Sequence, residues 1–302
     1  MEKKRAILCV GIIFALNVIC IIPIAFLWES IDSGVGSMIL MATAVVFMWF
    51  PVIAVVITRK ITKDNFKVGI RPYFKKNIKY YLQACLFPGI FTCIGAVIYF
   101  VLFPETFDLT LAHAGSLMGV EVTLPFTLTI PLVLLFAILI IVIAPLVIIN
   151  HVFAFGEEFG WRGYILPKLQ TFMSDRKAVI INGVLWGLGH APLVCFGLHY
   201  NFDYIGFPYT GIIMMTIFAT VLGIWLSYLT IKTKSVVAAS IAHGAINSMR
   251  ELPAFIAVSG INVLIGPKSS GIVGMIGFII LALVCFYHMK NRHSKDDPYP
   301  AK

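Results

Sequence analysis

Apolar residues run in stretches of about twenty along this chain, separated by shorter segments where charge collects. Twenty such residues in helical form reach about 30 Å, the thickness of a hydrocarbon core. The pattern predicts helices near 7–28, 36–58, 80–103, 130–156, 178–195, 209–231, 235–256 and 271–288. The expectation is an all-α polytopic membrane protein of about eight transmembrane helices, folded as a single domain over residues 1–302. No segment between the runs is long enough to fold as a soluble domain. The first run is too long for the apolar part of a signal peptide and reads as a retained span.

Two stretches depart from a simple run. Residues 124–166 as continuous helix would extend roughly 65 Å, twice a bilayer. One tilted crossing with a kink near Pro131 or Pro145 is the expectation, because proline removes a helical hydrogen bond and crowds the preceding turn. Residues 59–79 mix basic side chains with Ile61, Phe66, Val68, Ile70, Tyr73 and Phe74, as an amphipathic segment at a membrane interface would.

Composition agrees with the spans: 60% of residues are apolar and only 12% are charged. The formal net charge of +9 does not point to nucleic acid, because the Lys and Arg residues fall between the spans and set topology. They collect at 3–5, 59–79, 168–177, 232–234 and after 290. The alternate loops carry Glu29, Asp32, Glu105, Asp108, Glu121 and Asp203, with Arg250 and Lys268 as their basic residues. Both termini are therefore expected in the cytoplasm. The six cysteines form no CxxC pair and read as buried thiols rather than a disulfide or zinc framework.

The candidate chemistry lies in polar residues within or beside the spans. A charge at the centre of a lipid span costs roughly 2.5–3.5 kcal/mol on an insertion scale, so such residues are usually paired or functional. Glu157, Glu158 and Arg162 come first. At i,i+4 spacing Glu158 and Arg162 form a helical ion pair and leave Glu157, about 100° round the helix, to face something else. Trp186 and His190 share a helix face, with Gly183, Gly187 and Gly189 allowing close helix approach. Ser240, His243 and Asn247 form a polar stripe on a small-residue helix. Asn150 and His151 suit a supporting or boundary role.

Each group has a bland alternative taken alone: a salt-bridged helix end, an imidazole bonded to neighbouring backbone, or polar glue between helices. Together they are too many costly groups for glue. A carboxylate with a histidine activates water as a general base. A second histidine with an asparagine donates to an oxyanion. The same Glu/His set could instead hold Zn²⁺ and sharpen a bound water. Either assembly hydrolyses an amide. HExxH, a GxGD aspartate and GxSxG are all absent, so hydrolysis here would run on Glu and His.

Glu157-Glu158-x-x-x-Arg162, Trp186-x-x-x-His190 and His243-x-x-x-Asn247 resemble, in order and spacing, the three motifs of the CAAX-protease and bacteriocin-processing family of intramembrane endopeptidases. The resemblance covers about residues 125–250, which would be the catalytic core. It implies eight helices around an intramembrane active-site cavity. In that reading Glu157 and His190 activate water, His243 and Asn247 form the oxyanion hole, and Glu158, Arg162 and Trp186 support them. Members are described both as metalloproteases and as metal-free glutamate enzymes, and a divalent metal such as Zn²⁺ on Glu157, His190 and His243 stays open. Eukaryotic members trim prenylated CaaX proteins, whereas bacterial members are linked to bacteriocin processing and immunity. The Ile/Lys-rich composition suggests a bacterial plasma membrane and a peptide or membrane-protein substrate. The rivals are a non-catalytic immunity or partner-binding protein on the same fold, and a proton-coupled transporter, which an inverted repeat between halves would favour.

Overall fold

The structure, a computed structural model, describes residues 1–27, 33–118, 121–122 and 126–289. Glu29, Asp32 and the basic tail after Met289, used above for topology, lie outside the described residues. Thirteen α-helices follow one another among the described residues: α1 (Glu2–Leu27), α2 (Ser33–Phe47), α3 (Phe50–Thr62), α4 (Phe74–Leu102), α5 (Ala112–Met118), α6 (Ile130–Ile143) and α7 (Ile148–Gly160). Then come α8 (Leu166–Gln170), α9 (Asp175–Gly189), α10 (Ala191–Val194), α11 (Tyr209–Thr233), α12 (Val236–Met249) and α13 (Ile276–His288). Among the described residues the only extended pairing is one antiparallel bridge, Phe107 to Ala257. The chain is an all-α polytopic membrane protein.

Among the described residues five helical segments are long and apolar enough to cross a membrane, and a bent pair would make a sixth, against the eight expected. The difference lies at the carboxyl end. The runs 235–256 and 271–288 contain helices of only 14 and 13 residues, which rise about 20 Å each. Pro253, Gly266, Pro267, Gly271 and Gly274 break the backbone between them while keeping the composition apolar.

The long run 124–166 bends where proline dictates. Helix α6 ends in a 3₁₀ turn at Ala144–Leu146, and the chain turns by 61° before α7. His151 donates from Nε2 to the Pro145 carbonyl at 2.6 Å, so its place is the kink. Helix α7 then passes into a π-helical turn, Trp161–Ile165, that carries Arg162. The segment between α3 and α4 is irregular rather than helical, and its Phe66 and Val68 pack against the core.

Some basic residues placed above as topology signals are structural. Lys168 is buried and pairs with Glu2 and, at 2.7 Å, with Asp64. Tyr164 donates to the same Asp64 carboxylate at 2.9 Å. Burial alone would raise the Asp64 carboxyl, but the bonds from Lys168, Tyr164 and the Phe66 amide hold it below its usual value. This cluster ties α1, the α3–α4 segment and α8 together. The cysteines are all free, but only Cys9 and Cys285 are buried: Cys20, Cys85 and Cys93 are half-buried, and Cys195, in the turn after the short helix α10, is exposed.

Close helix approach positions the centre of the fold. Helix α7 packs on α12 at Gly244, where a Cβ would lie 2.3 Å from His151 Nδ1 and 2.7 Å from the His151 amide nitrogen. Helix α9 packs on α11 at Gly187, where a Cβ would lie 2.5 Å from the Thr216 Cα. Backbone cannot yield as a flexible side chain does. Gly244→Ala is therefore expected to separate α12 from α7 and to cost about 1–3 kcal/mol of overpacking. A lowered thermal midpoint in detergent would show it; an unchanged midpoint would mean that α12 shifts freely.

Candidate active site

The three sequence motifs lie on α7 and its π-turn, α9 and α12, and the fold brings them to one place. Glu157, Trp186, His190, His243 and Asn247 line a single cavity of about 530 Å³. Glu158 and Arg162 sit behind it, fully buried.

Two adjacent carboxylates diverge because neighbouring helical residues point about 100° apart. Glu158 turns inward. Its Oε1 accepts from Arg162 Nη1 at 3.0 Å and from His243 Nδ1 at 2.9 Å. The Arg162 guanidinium also lies over the Trp186 ring, 4.0 Å from its centroid. Such a stack suits a planar guanidinium better than an ammonium.

Glu157 turns to the cavity. Its Oε2 accepts the Trp186 indole N–H at 2.6 Å. The Trp186 main-chain carbonyl accepts from His190 Nδ1 at 2.9 Å. A carbonyl only accepts, so Nδ1 carries the proton and the neutral ring keeps its lone pair on Nε2. Trp186 thus orients the carboxylate with its side chain and the imidazole with its backbone. His190 stands where α9 ends and Pro192 follows, inside the apolar helical segment Asp175–Val194 that continues through α10.

His243 presents Nδ1–H to Glu158, which turns Nε2 away from that carboxylate. Its ring lies edge-on to Trp186, with centroids 5.2 Å apart. Asn247 lies one turn further along α12, also on the cavity wall. Ser240 is not part of this wall; its hydroxyl bonds back to the Val236 carbonyl at 2.9 Å. Asn150 supports the α7–α12 contact, donating to the Ser248 hydroxyl at 2.7 Å.

Among the described residues no three His, Cys, Asp or Glu side chains are grouped to hold an ion. Trp186 holds one Glu157 oxygen, and backbone and Glu158 hold the Nδ1 atoms of His190 and His243, which leaves the other Glu157 oxygen and both Nε2 atoms unused by these bonds. No step below runs through a metal.

Sequence reasoning missed several residues. Asn17 of α1, buried, donates to the Gly189 carbonyl at 2.8 Å and lines the cavity beside His190. An asparagine inside an apolar run was the available signal. Asn182 donates to the Trp161 carbonyl at 2.9 Å and so braces the π-turn. Leu40, Met41, Phe47 and Met48, on or just after α2, form part of the cavity wall, so the amino-terminal helices contribute to the site as well as to the span count. His199, Arg250, Glu251 and Lys268 close one end.

Two comparisons with known proteins bear on this arrangement. Residues 128–249 match the family described as type II CAAX prenyl endopeptidase Rce1-like. Over 99 residues the chain is 35% identical to the CAAX prenyl protease 2 of Methanococcus maripaludis, a stretch equal to 32% of this chain and 36% of that protein. The match therefore spans about a third of the curated relative's length. The profile match covers all three motifs, from Glu157 to Asn247. Residues 128–249, with all three motifs, are thus similar to the Rce1-like family of type II CAAX prenyl endopeptidases.

Proposed function

We propose that the chain is an intramembrane endopeptidase that hydrolyses a peptide bond with water activated by Glu157 and His190. The observation that carries the reading is the double role of Trp186, which aims one carboxylate and one imidazole into the same cavity. Water bound between Glu157 and His190 Nε2 loses a proton as its oxygen attacks the scissile carbonyl. The C–O bond forms, the carbonyl π-electrons move to oxygen, and His243 with Asn247 donates to that oxyanion. His243 Nε2 donates only from the doubly protonated ring, since Nδ1–H already faces Glu158. Collapse of the intermediate breaks the C–N bond, and the proton taken from water passes to the leaving amine. Glu158 and Arg162 hold His243 and Trp186 in place.

The substrate in this reading is a peptide or membrane-associated protein, as the name of the relative suggests for its own chemistry. The basic loops and both termini face the cytoplasm. Trp186→Phe keeps a ring beside Arg162 but removes the N–H to Glu157. Cleavage should fall roughly tenfold, the scale of one hydrogen bond to a charged group, while the thermal midpoint moves little. Comparing peptide termini from cells carrying the wild type with those from cells carrying Glu157→Gln at matched protein level tests the reading. Termini found only with the wild type support it; identical termini leave a partner-binding protein on the same fold.

A further inference from the structure

The polar face of α12 does not stop at Asn247. His243, Asn247 and Arg250 fall at i, i+4 and i+7, and all three line the cavity. Opposite Arg250 stands Lys268, carried by a turn whose Ser269 amide donates to the Arg250 carbonyl at 3.2 Å. Glu251 reaches both cations from the rim, 2.7 Å from Lys268 Nζ and 3.5 Å from Arg250 Nε. The longer contact is not a hydrogen bond, and Arg250 Nε is buried without a hydrogen-bond partner.

His199 completes this end of the cavity. Its ring centroid is 5.8 Å from that of His190. Both of its nitrogens are buried and lack a hydrogen-bond partner. Its backbone sits at φ 78°, a region a non-glycine residue rarely adopts. A strained residue holding an unsatisfied imidazole against a cavity has a place for a ligand rather than for packing.

Two cations, one anion and a free imidazole make this end net positive, while Glu157 makes the other end negative. Glu251 shows that the wall accepts a carboxylate, since one from the chain itself already rests on Lys268. A guanidinium suits a carboxylate in particular, with its two parallel acceptors. We propose that Arg250, Lys268 and His199 form a subsite that binds a carboxylate of the substrate and thereby fixes which peptide bond meets Glu157 and His190. Arg250 lies three residues beyond Asn247, a helical rise of about 4.5 Å. An extended peptide covers that in one or two residues, at roughly 3.3–3.6 Å each. The bond cut is then close to the anchored carboxylate, with apolar residues against Leu40, Phe47 and Met48.

This rests on the endopeptidase reading, but it is tested by binding without turnover. The full chain carrying Glu157→Gln is placed in lipid nanodiscs and titrated with fluorescein-labelled hexapeptides of Ala, Leu and Val. Three forms are compared: free carboxyl terminus, carboxyl-terminal amide, and amide with an internal Asp. The free acid is expected to bind at least tenfold more tightly than the plain amide. That gap should close in Arg250→Gln/Lys268→Gln, narrow in His199→Ala and persist in Arg250→Lys/Lys268→Arg, which keeps both charges. If the Asp-containing amide binds as well as the acid, the anchored group is a side-chain carboxylate. Equal binding of acid and plain amide, including no binding of either, overturns the subsite, as does a gap that survives Arg250→Gln/Lys268→Gln. Selective acid binding with no product from the wild type would instead overturn the endopeptidase reading and leave the subsite standing.

Discussion

Glu157→Gln is expected to lower peptide cleavage by about 10²–10⁴-fold, the usual worth of a positioned general base, and to leave the fold intact. The two halves of the expectation have separate causes. The amide oxygen of glutamine still accepts the Trp186 indole N–H that Glu157 Oε2 now accepts at 2.6 Å. The local hydrogen bonding survives, and so does the contact between α7 and α9. What is lost is the carboxylate oxygen proposed to take a proton from water. Cleavage by purified protein and its thermal midpoint in the same detergent check both halves. A variant that cleaves at the wild-type rate would remove Glu157 from the chemistry, and a variant that unfolds would mean that Glu157 acts in structure.

Arg162→Met is expected to show the largest loss of stability, about 3–5 kcal/mol, because it strips one partner from a buried ion pair. Arg162 and Glu158 are both fully buried, 3.0 Å apart, in a segment of membrane-spanning character. Without Arg162 the Glu158 carboxylate keeps only His243. The Trp186 ring also loses the guanidinium that lies over it. Restoring neutrality should recover part of the loss, so Arg162→Met/Glu158→Gln is expected to melt above Arg162→Met. Arg162→Lys should recover less than a full charge would suggest, since an ammonium on a flexible stem neither stacks on Trp186 nor keeps the guanidinium's planar geometry. Unfolding in detergent reads all three variants. Equal midpoints for the single and double variants would show that the pair is not what holds this part of the fold.

Residues four apart on one helix were legible as neighbours from the sequence. The Glu158–Arg162 pair, the shared face of Trp186 and His190, and the outward turn of Glu157 all follow from helical periodicity. A kink near Pro131 or Pro145 was legible too, since proline disrupts a helix by its own covalent geometry, and the bend falls at Pro145. Contacts between helices were not legible. His243 meets Glu158 across 85 positions of sequence, and no local rule pairs them. Trp186 looked like a neighbour of His190, but its larger role is to bridge Glu157 on another helix. The count of eight spans goes beyond the helices of full spanning length because composition does not show where the backbone breaks. Residues 250–275 are apolar enough to extend a span, yet their prolines and glycines fold them into turns that carry Lys268 to the cavity. Lys168 misled for the opposite reason: a basic residue in a loop signals topology on average, but here Asp64 and Glu2 hold it inside.

The central claim is that water, held by Glu157 and His190, attacks a peptide bond inside this cavity. The most direct test is to reconstitute the chain in lipid vesicles, supply a library of apolar peptides in H₂¹⁸O, and read the products by mass spectrometry. The account predicts new peptides carrying one ¹⁸O at the carboxylate created by the cut, formed by the wild type and not by Glu157→Gln at equal folded protein. New carboxylates in equal yield from both proteins, or no new peptides from the wild type, would contradict it.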